Sequence, residues 1–152
     1  MAEQEVERWC GARPGDDHIV HCFADASEQA YGCCIYLLCP GASQQHLIYA
    51  KARVVPVKKQ SLAHLELQAA LLASTSLDMV CGNLRANIRD VHCWTDSLTP
   101  YHWLQKASHS WKTWVANRVA AVQEVAKKWN AIWHHCPGVL NPADMASTRC
   151  HV

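Results

Sequence analysis

Phe23-Ala24-Asp25-Ala26-Ser27-Glu28-Gln29-Ala30-Tyr31-Gly32 sets one carboxylate at the end of an apolar, strand-like run and follows it at once with a polar turn. Working outward, His18 to Ala24 is β-rich, and Cys33 to Cys39 forms a second apolar run that Pro40-Gly41 ends. A third run, Gln45 to Val55, follows a short loop. Links this short leave no room for a crossover, so the three runs predict an antiparallel meander.

Beyond it, Ser61 is a plausible N-cap for a helix over Leu62 to Met79, with Leu62, Leu65, Ala69, Leu72 and Met79 at helical spacing. Glu66 lies on or beside that apolar stripe. The helix gives the chain length enough for a right-handed crossover, so a fourth strand, Arg89 to Thr95, is expected parallel to a meander strand. Asp96 then stands at that strand's carboxyl end, where ligand sites of α/β sheets collect. A short helix over 97–106, a longer one over Thr113 to Lys128 and a fifth strand over Trp129 to Cys136 follow. Pro137-Gly138 turns the chain, and Asn141-Pro142-Ala143-Asp144 opens a last helix. The expected fold is α/β, in the order βββαβααβα. Its five-stranded mixed sheet, three antiparallel strands plus two parallel ones, is flanked by helices. Residues 1–17 are polar, hold Gly11, Pro14 and Gly15, and read as a flexible leader to one domain over 18–152.

At 152 residues, 50% apolar and 18% charged, the chain is long enough to bury a real core and too ordered in composition for a disordered tail. No run approaches the roughly 18 apolar residues of a membrane span, and the amino terminus lacks the plan of a signal peptide, so an intracellular protein without a membrane partner is expected. Nine cysteines, an odd number with Cys33 and Cys34 adjacent, fit reduced thiols better than a disulfide framework. His134, His135, Cys136, Cys150 and His151 are the one opening for zinc, and no Cys-x-x-Cys pair supports it. A net charge of +1 excludes a uniformly basic nucleic-acid binder and leaves local patches. These are Lys51, Arg53, Lys58 and Lys59, then Lys106, Lys112 and Arg118, then Lys127 and Lys128, each more simply read as solvated surface.

Asp25, Glu66, Asp96 and Asp144 are four acids in four different contexts. Carboxylates near a core are disfavoured by desolvation unless cations or donors compensate, and a divalent-metal site removes that penalty. Alone, an Asp at a strand end is a turn former, and Asp144 in a first helical turn complements the dipole. The four together, on alternating strands and helices, point to metal-dependent nuclease chemistry. Ser27 and Ser97 read as turn or cap hydroxyls, or as contacts to phosphate or metal-bound water. Trp111 and Trp114, interleaved with Lys112 and Arg118, read either as a nucleic-acid grip or as helix anchors, and Trp94 and Trp129 as core.

From about residue 18 to 149 the chain resembles the ribonuclease H domain of long-terminal-repeat retrotransposon polyproteins, most closely the BEL/Pao class. The resemblance rests on the opening stretch, Ala50-Lys-Ala-Arg-Val-Val-Pro-Val-Lys58, Leu65-Glu-Leu, Trp94-Thr-Asp-Ser97, Trp111-Lys-Thr-Trp-Val-Ala-Asn-Arg-Val119 and Pro137-Gly-Val-Leu-Asn-Pro-Ala-Asp144, in that order. It implies a ribonuclease H-like fold and cleavage of the RNA strand of RNA–DNA hybrids. Asp25, Glu66, Asp96 and Asp144 would be the catalytic, metal-binding acids for two Mg²⁺ or Mn²⁺ ions, with Asp25 bridging. Ser27, Ser97, Lys112, Arg118, Trp111 and Trp114 are candidate hybrid contacts. His134 and His135 are candidates for the auxiliary histidine that some ribonucleases H use in product release. The resemblance also implies a former place in a polyprotein with reverse transcriptase and integrase. Two departures stand out: Ala63-His64 where the class usually has Pro-Arg, and Thr148-Arg149-Cys150 where it tends to Arg-Gly. Two other readings stay open, a catalytically inactive nucleic-acid-binding module of retrotransposon origin and an integrase or transposase core.

Overall fold

The computed structural model describes residues 17–39, 45–58 and 60–142. Residues 1–16 of the leader expected over 1–17, the last helix expected to open at Asn141-Pro142-Ala143-Asp144 beyond Pro142, and Cys150 and His151 lie outside them.

The chain runs β1 (Asp17–Ala26), β2 (Ala30–Leu38), β3 (Gln45–Val54), α1 (Leu62–Asn83), β4 (Asn87–Thr95), α2 (Leu98–Leu104), α3 (Thr113–Trp129) and β5 (Ala131–His135). Short 3₁₀ turns at Ser108–Ser110 and Gly138–Leu140, which the sequence pattern does not foretell, fill two connections. The sheet order is β3-β2-β1-β4-β5. β1–β2 and β2–β3 are antiparallel, while β1–β4 and β4–β5 are parallel, as the meander-plus-crossover reading expects. β3 forms one edge of the sheet, and Lys51 and Arg53 lie exposed along it.

Alternation along β1 decides which side is which. His18, Val20, Cys22 and Ala24 are buried toward α1, where the Cys22 thiol meets the Ala73 carbonyl at 3.7 Å. Cys33, Ile35 and Leu37 of β2 and Val91 and Cys93 of β4 complete the sheet's share of the core. α1 supplies Leu65, Ala69, Leu72 and Leu77, and α3 supplies Val115, Val119 and Val122. The expected α1 stripe is corrected at both ends, because Leu62 is 47% and Met79 48% exposed while Leu67, Ala70 and Ala73 are buried. The reason is that α1 lies between the sheet and α3, so its middle is covered from two sides.

Three of the boundaries that differ from the sequence reading have a visible cause. β2 starts at Ala30 because the turn is only Ser27 to Gln29: the Ser27 hydroxyl accepts from the Gln29 and Ala30 amides at 3.3 and 3.2 Å. α1 continues to Asn83, whose side-chain amide donates to the Met79 carbonyl at 2.7 Å. Trp129 belongs to α3 rather than β5, because Asn130, at φ 53°, adopts the left-handed conformation that ends a helix. The Asn130 amide reaches the carbonyls of Ala126 and Lys127. Trp94 is also corrected: it is half-buried on the sheet face away from α1, in a layer with His21, Phe23, His92 and His134. Cys22, Cys33, Cys34, Cys81, Cys93 and Cys136 are free thiols, and no helix among the described residues is long and apolar enough to cross a membrane.

Candidate active site

Strand register builds the site. Ala24 of β1 pairs with Thr95 of β4, and Thr95 pairs with His135 of β5, all parallel. One residue further on, Asp25, Asp96 and Cys136 form a row across the carboxyl ends of three adjoining strands, whose spacing is about 4.8 Å. Asp25 is only 6% exposed and pairs with Gly32 of β2. The Cys136 amide donates to the Thr95 carbonyl at 2.9 Å, which extends the β4–β5 pairing into this row. Burial, then the negative charges of Asp96 and Asp25, push the Cys136 thiol's pKa up.

Glu66 approaches from α1. Ser61 caps that helix, its hydroxyl accepting from the His64 amide at 3.2 Å, so Glu66 sits in the second turn. Burial raises the Glu66 pKa, a hydrogen bond from Ser97 lowers it, and the Asp96 charge raises it again. Ser97 thus meets a carboxylate rather than capping α2, for which it makes no side-chain bond. Asp96 is closed in from two more directions. His135 Nε2 donates to its carbonyl at 3.1 Å, and a Cβ placed on Gly138 would stand 3.0 Å from Asp96 Oδ2. The segment then reaches Asn141, a buried residue whose side-chain amide donates to the Ala24 carbonyl at 2.9 Å.

Asp25, Glu66, Asp96 and Ser97 are therefore neighbours, and Asp144, three residues past Asn141, lies outside the described residues. The donors suit a hard divalent cation in kind, since they are carboxylates, one of them held half-buried against its own charge. Among the described residues, ion pairs join Arg89 to Asp90 and Lys128 to Asp78, and none reaches Glu66 or Asp96. No three described His, Cys, Asp or Glu side chains yet enclose a single ion position.

The other sequence candidates fall in three places. Ser27 closes the β1–β2 turn. His134 stays in the ring layer, 2.9 Å from the His92 Nδ1 and stacked on Trp94 at 4.5 Å, while His135 turns toward Asp96. The described members of the zinc set, His134, His135 and Cys136, thus point to different neighbours. Lys112 is exposed just before α3. The Trp111 Nε1 donates to the Trp103 carbonyl at 3.1 Å. Trp114 has the His64 ring at 4.4 Å and the Arg118 guanidinium at 3.7 Å. Gly138 and Asn141 are absent from the sequence candidates, and Cys136 enters there only in the zinc set, not beside the acids. Both Gly138 and Asn141 carry a local signal of another kind, Gly138 as part of the Pro137-Gly138 turn and Asn141 as a helix opening.

Residues 2–97 match the family described as the Pao retrotransposon-like RNaseH-like domain. That span includes Asp25, Glu66 and Asp96 and ends just before α2. No curated protein matches. Among solved structures, RNase H1 of the halophilic archaeon Halobacterium salinarum is 14% identical with a TM-score of 0.57, over 84% of this chain and 93% of that one. LC11-RNase H1 in complex with an RNA/DNA hybrid is also 14% identical at a TM-score of 0.57, over 85% of this chain and 92% of that one. The protease–reverse transcriptase of prototype foamy virus is 9% identical with a TM-score of 0.56, over 88% of this chain and 20% of that one. These likenesses establish a ribonuclease H-like fold. Since the family match covers more than half its length, the chain belongs to the Pao retrotransposon-like RNaseH-like domain family.

Proposed function

We propose that this domain is a metal-dependent endonuclease that cleaves the RNA strand of RNA–DNA hybrids. The observation that carries the reading is the row of Asp25 and Asp96 on adjoining parallel strands, with Glu66 close enough for Asp96 to disfavour its charge. Asp25, Glu66 and Asp96, with Asp144 as the fourth acid, would hold two Mg²⁺ or Mn²⁺ ions. When bound, such ions supply an activated water and charge stabilisation at the leaving 3′ oxygen.

The chain's own residues orient the site. Ser97 holds the Glu66 carboxylate by its hydroxyl, and Gly138 leaves room for the Asp96 carboxylate. His135 fixes the backbone at Asp96, and Asn141 draws the segment leading to Asp144 onto β1. Lys112 and Arg118 would meet backbone phosphates, with Trp111 and Trp114 shaping that surface, so recognition rests on duplex shape and 2′-hydroxyls rather than on base edges. LC11-RNase H1, of the same fold, is known in complex with an RNA/DNA hybrid, which supports this partner. The foamy virus protease–reverse transcriptase supports an origin beside a reverse transcriptase. A catalytically silent hybrid-binding module is the second reading, and weak Mg²⁺ binding by the folded chain would favour it.

Incubating the purified chain with labelled RNA–DNA hybrid and Mg²⁺, beside Asp96→Asn, separates the two. We expect cleavage by the parent and almost none by the variant, which loses a ligand charge without a change of volume. Equal signals from both would remove the enzymatic reading.

A further inference from the structure

α2 is only seven residues long, too short to be stable alone, and its last carbonyls need partners from outside. The Gln105 amide serves the His102 carbonyl at 3.2 Å, and Trp111 Nε1 serves that of Trp103 at 3.1 Å. The Leu104 carbonyl is met from α3, by the Gln123 side-chain amide at 3.1 Å. The same Nε2 also donates to the Lys106 carbonyl at 2.7 Å, so both hydrogens of one amide hold both ends of the turn after α2. The side chains of this connection carry its positive charge. Lys106 is exposed, with its Nζ 5.8 Å from the centre of the Trp111 ring, and Lys112 is exposed at the far end. At about 1.5 Å per residue, α2 sets the turn roughly 10 Å from Asp96, within a few nucleotides of a phosphate at the acids.

We propose that Gln123 is a positioning residue for hybrid binding, which draws the Leu104 and Lys106 carbonyls against α3 and so presents Lys106, beside Lys112 at the start of that helix, to the phosphate backbone. This rests on the reading of the domain as a hybrid-binding nuclease. Gln123 touches no substrate, and its effect passes through Lys106.

The test is the salt dependence of binding of the full chain to a labelled RNA–DNA hybrid in EDTA, by fluorescence anisotropy across a KCl series. Lys106→Ala/Lys112→Ala should lower the slope of log K against log [KCl] by about two units, one for each phosphate that a lysine no longer neutralises. Gln123→Met and Gln123→Ala change no charge, yet each should lower the slope by about one unit and weaken binding about tenfold at ~0.1 M salt. In Mg²⁺ the same variants should raise KM severalfold and leave kcat within about twofold, as loss of binding common to ground and transition states requires. Alanine is the best helix former, so one variant keeps α3 intact, which far-UV circular dichroism checks. A lowered slope in the lysine variant with parental slopes in both Gln123 variants would overturn the inference and leave the interface standing. Parental binding by the lysine variant would remove this interface and the inference with it.

Discussion

Asn141 donates its side-chain amide to the Ala24 carbonyl at 2.9 Å, tying the segment after β5 to the residue beside Asp25. Both partners are buried, so removing the donor leaves an acceptor without that partner in the interior. Asn141→Ala should therefore lower stability by about 1–3 kcal/mol. If the tether also orients the approach to Asp144, hybrid cleavage at a temperature where the variant is folded should fall further than the stability loss explains. Thermal unfolding run beside single-turnover cleavage separates the two. Full cleavage by a folded variant would confine Asn141 to the fold.

Gly138 faces the Asp96 carboxylate so closely that an added Cβ would stand 3.0 Å from Oδ2. The carboxylate is the part free to move, and a displacement of about 1 Å at a reacting centre can lower turnover about a hundredfold. Gly138→Ala is expected to lose about tenfold or more in cleavage, with a stability change under about 1 kcal/mol. Mn²⁺ titration calorimetry should show weaker binding in the same variant.

The Glu66 pKa is raised from its ordinary value of 4.5, with burial the largest cause. A carboxyl whose folded pKa is raised contributes stability that is full below the unfolded value and is lost as pH rises through the folded one. In EDTA, the parent should thus lose Tm relative to Glu66→Gln as pH climbs from about 4 toward neutrality. Mg²⁺ at neutral pH should restore the parent and act much less on the variant, because an ion that binds only the folded state stabilises it. Parallel melting curves across the pH series, with no gain from Mg²⁺, would contradict the placement of a cation beside Glu66.

His21 and His134 have pKa values lowered from 6.5, first by burial and then by neighbouring imidazoles. Here the unfolded chain takes up protons more readily, so stability is full above 6.5 and declines as pH falls below it. Protonating His21 at Nδ1 would also break the bond it accepts from Trp94 Nε1 at 3.1 Å. The urea midpoint should fall between pH 7 and 5, and His134→Phe, which keeps a ring on Trp94 without the charge, should flatten that fall.

The parts of the fold that are legible in the sequence are those governed by local alternation and loop length. Short links make β1, β2 and β3 a meander, and the length of α1 makes β4 parallel to β1. The same logic sets Asp25 and Asp96 at adjoining strand ends. What escapes is set by single residues or by register. Trp129 looks like the start of a strand until Asn130 is seen in the left-handed conformation, and Ala30 to Gly32 look like turn until Ser27 is seen to close it in three residues. Trp94 reads as core by composition, but its position in β4 turns it to the face opposite Cys93. Cys136, Gly138 and Asn141 become neighbours of the acids only through the pairing of β5 with β4 and a hydrogen bond back to β1. No spacing rule reports those neighbours.

Among the described residues β3 is an outer strand of the sheet, paired with β2 on one side. An outer strand with open amides and carbonyls is a template on which a second chain can polymerise. Lys51 and Arg53 project from that strand, so two copies approaching rim to rim would bring like charges together. Both charges thus weigh against pairing of that kind, and neutralising them would remove the repulsion.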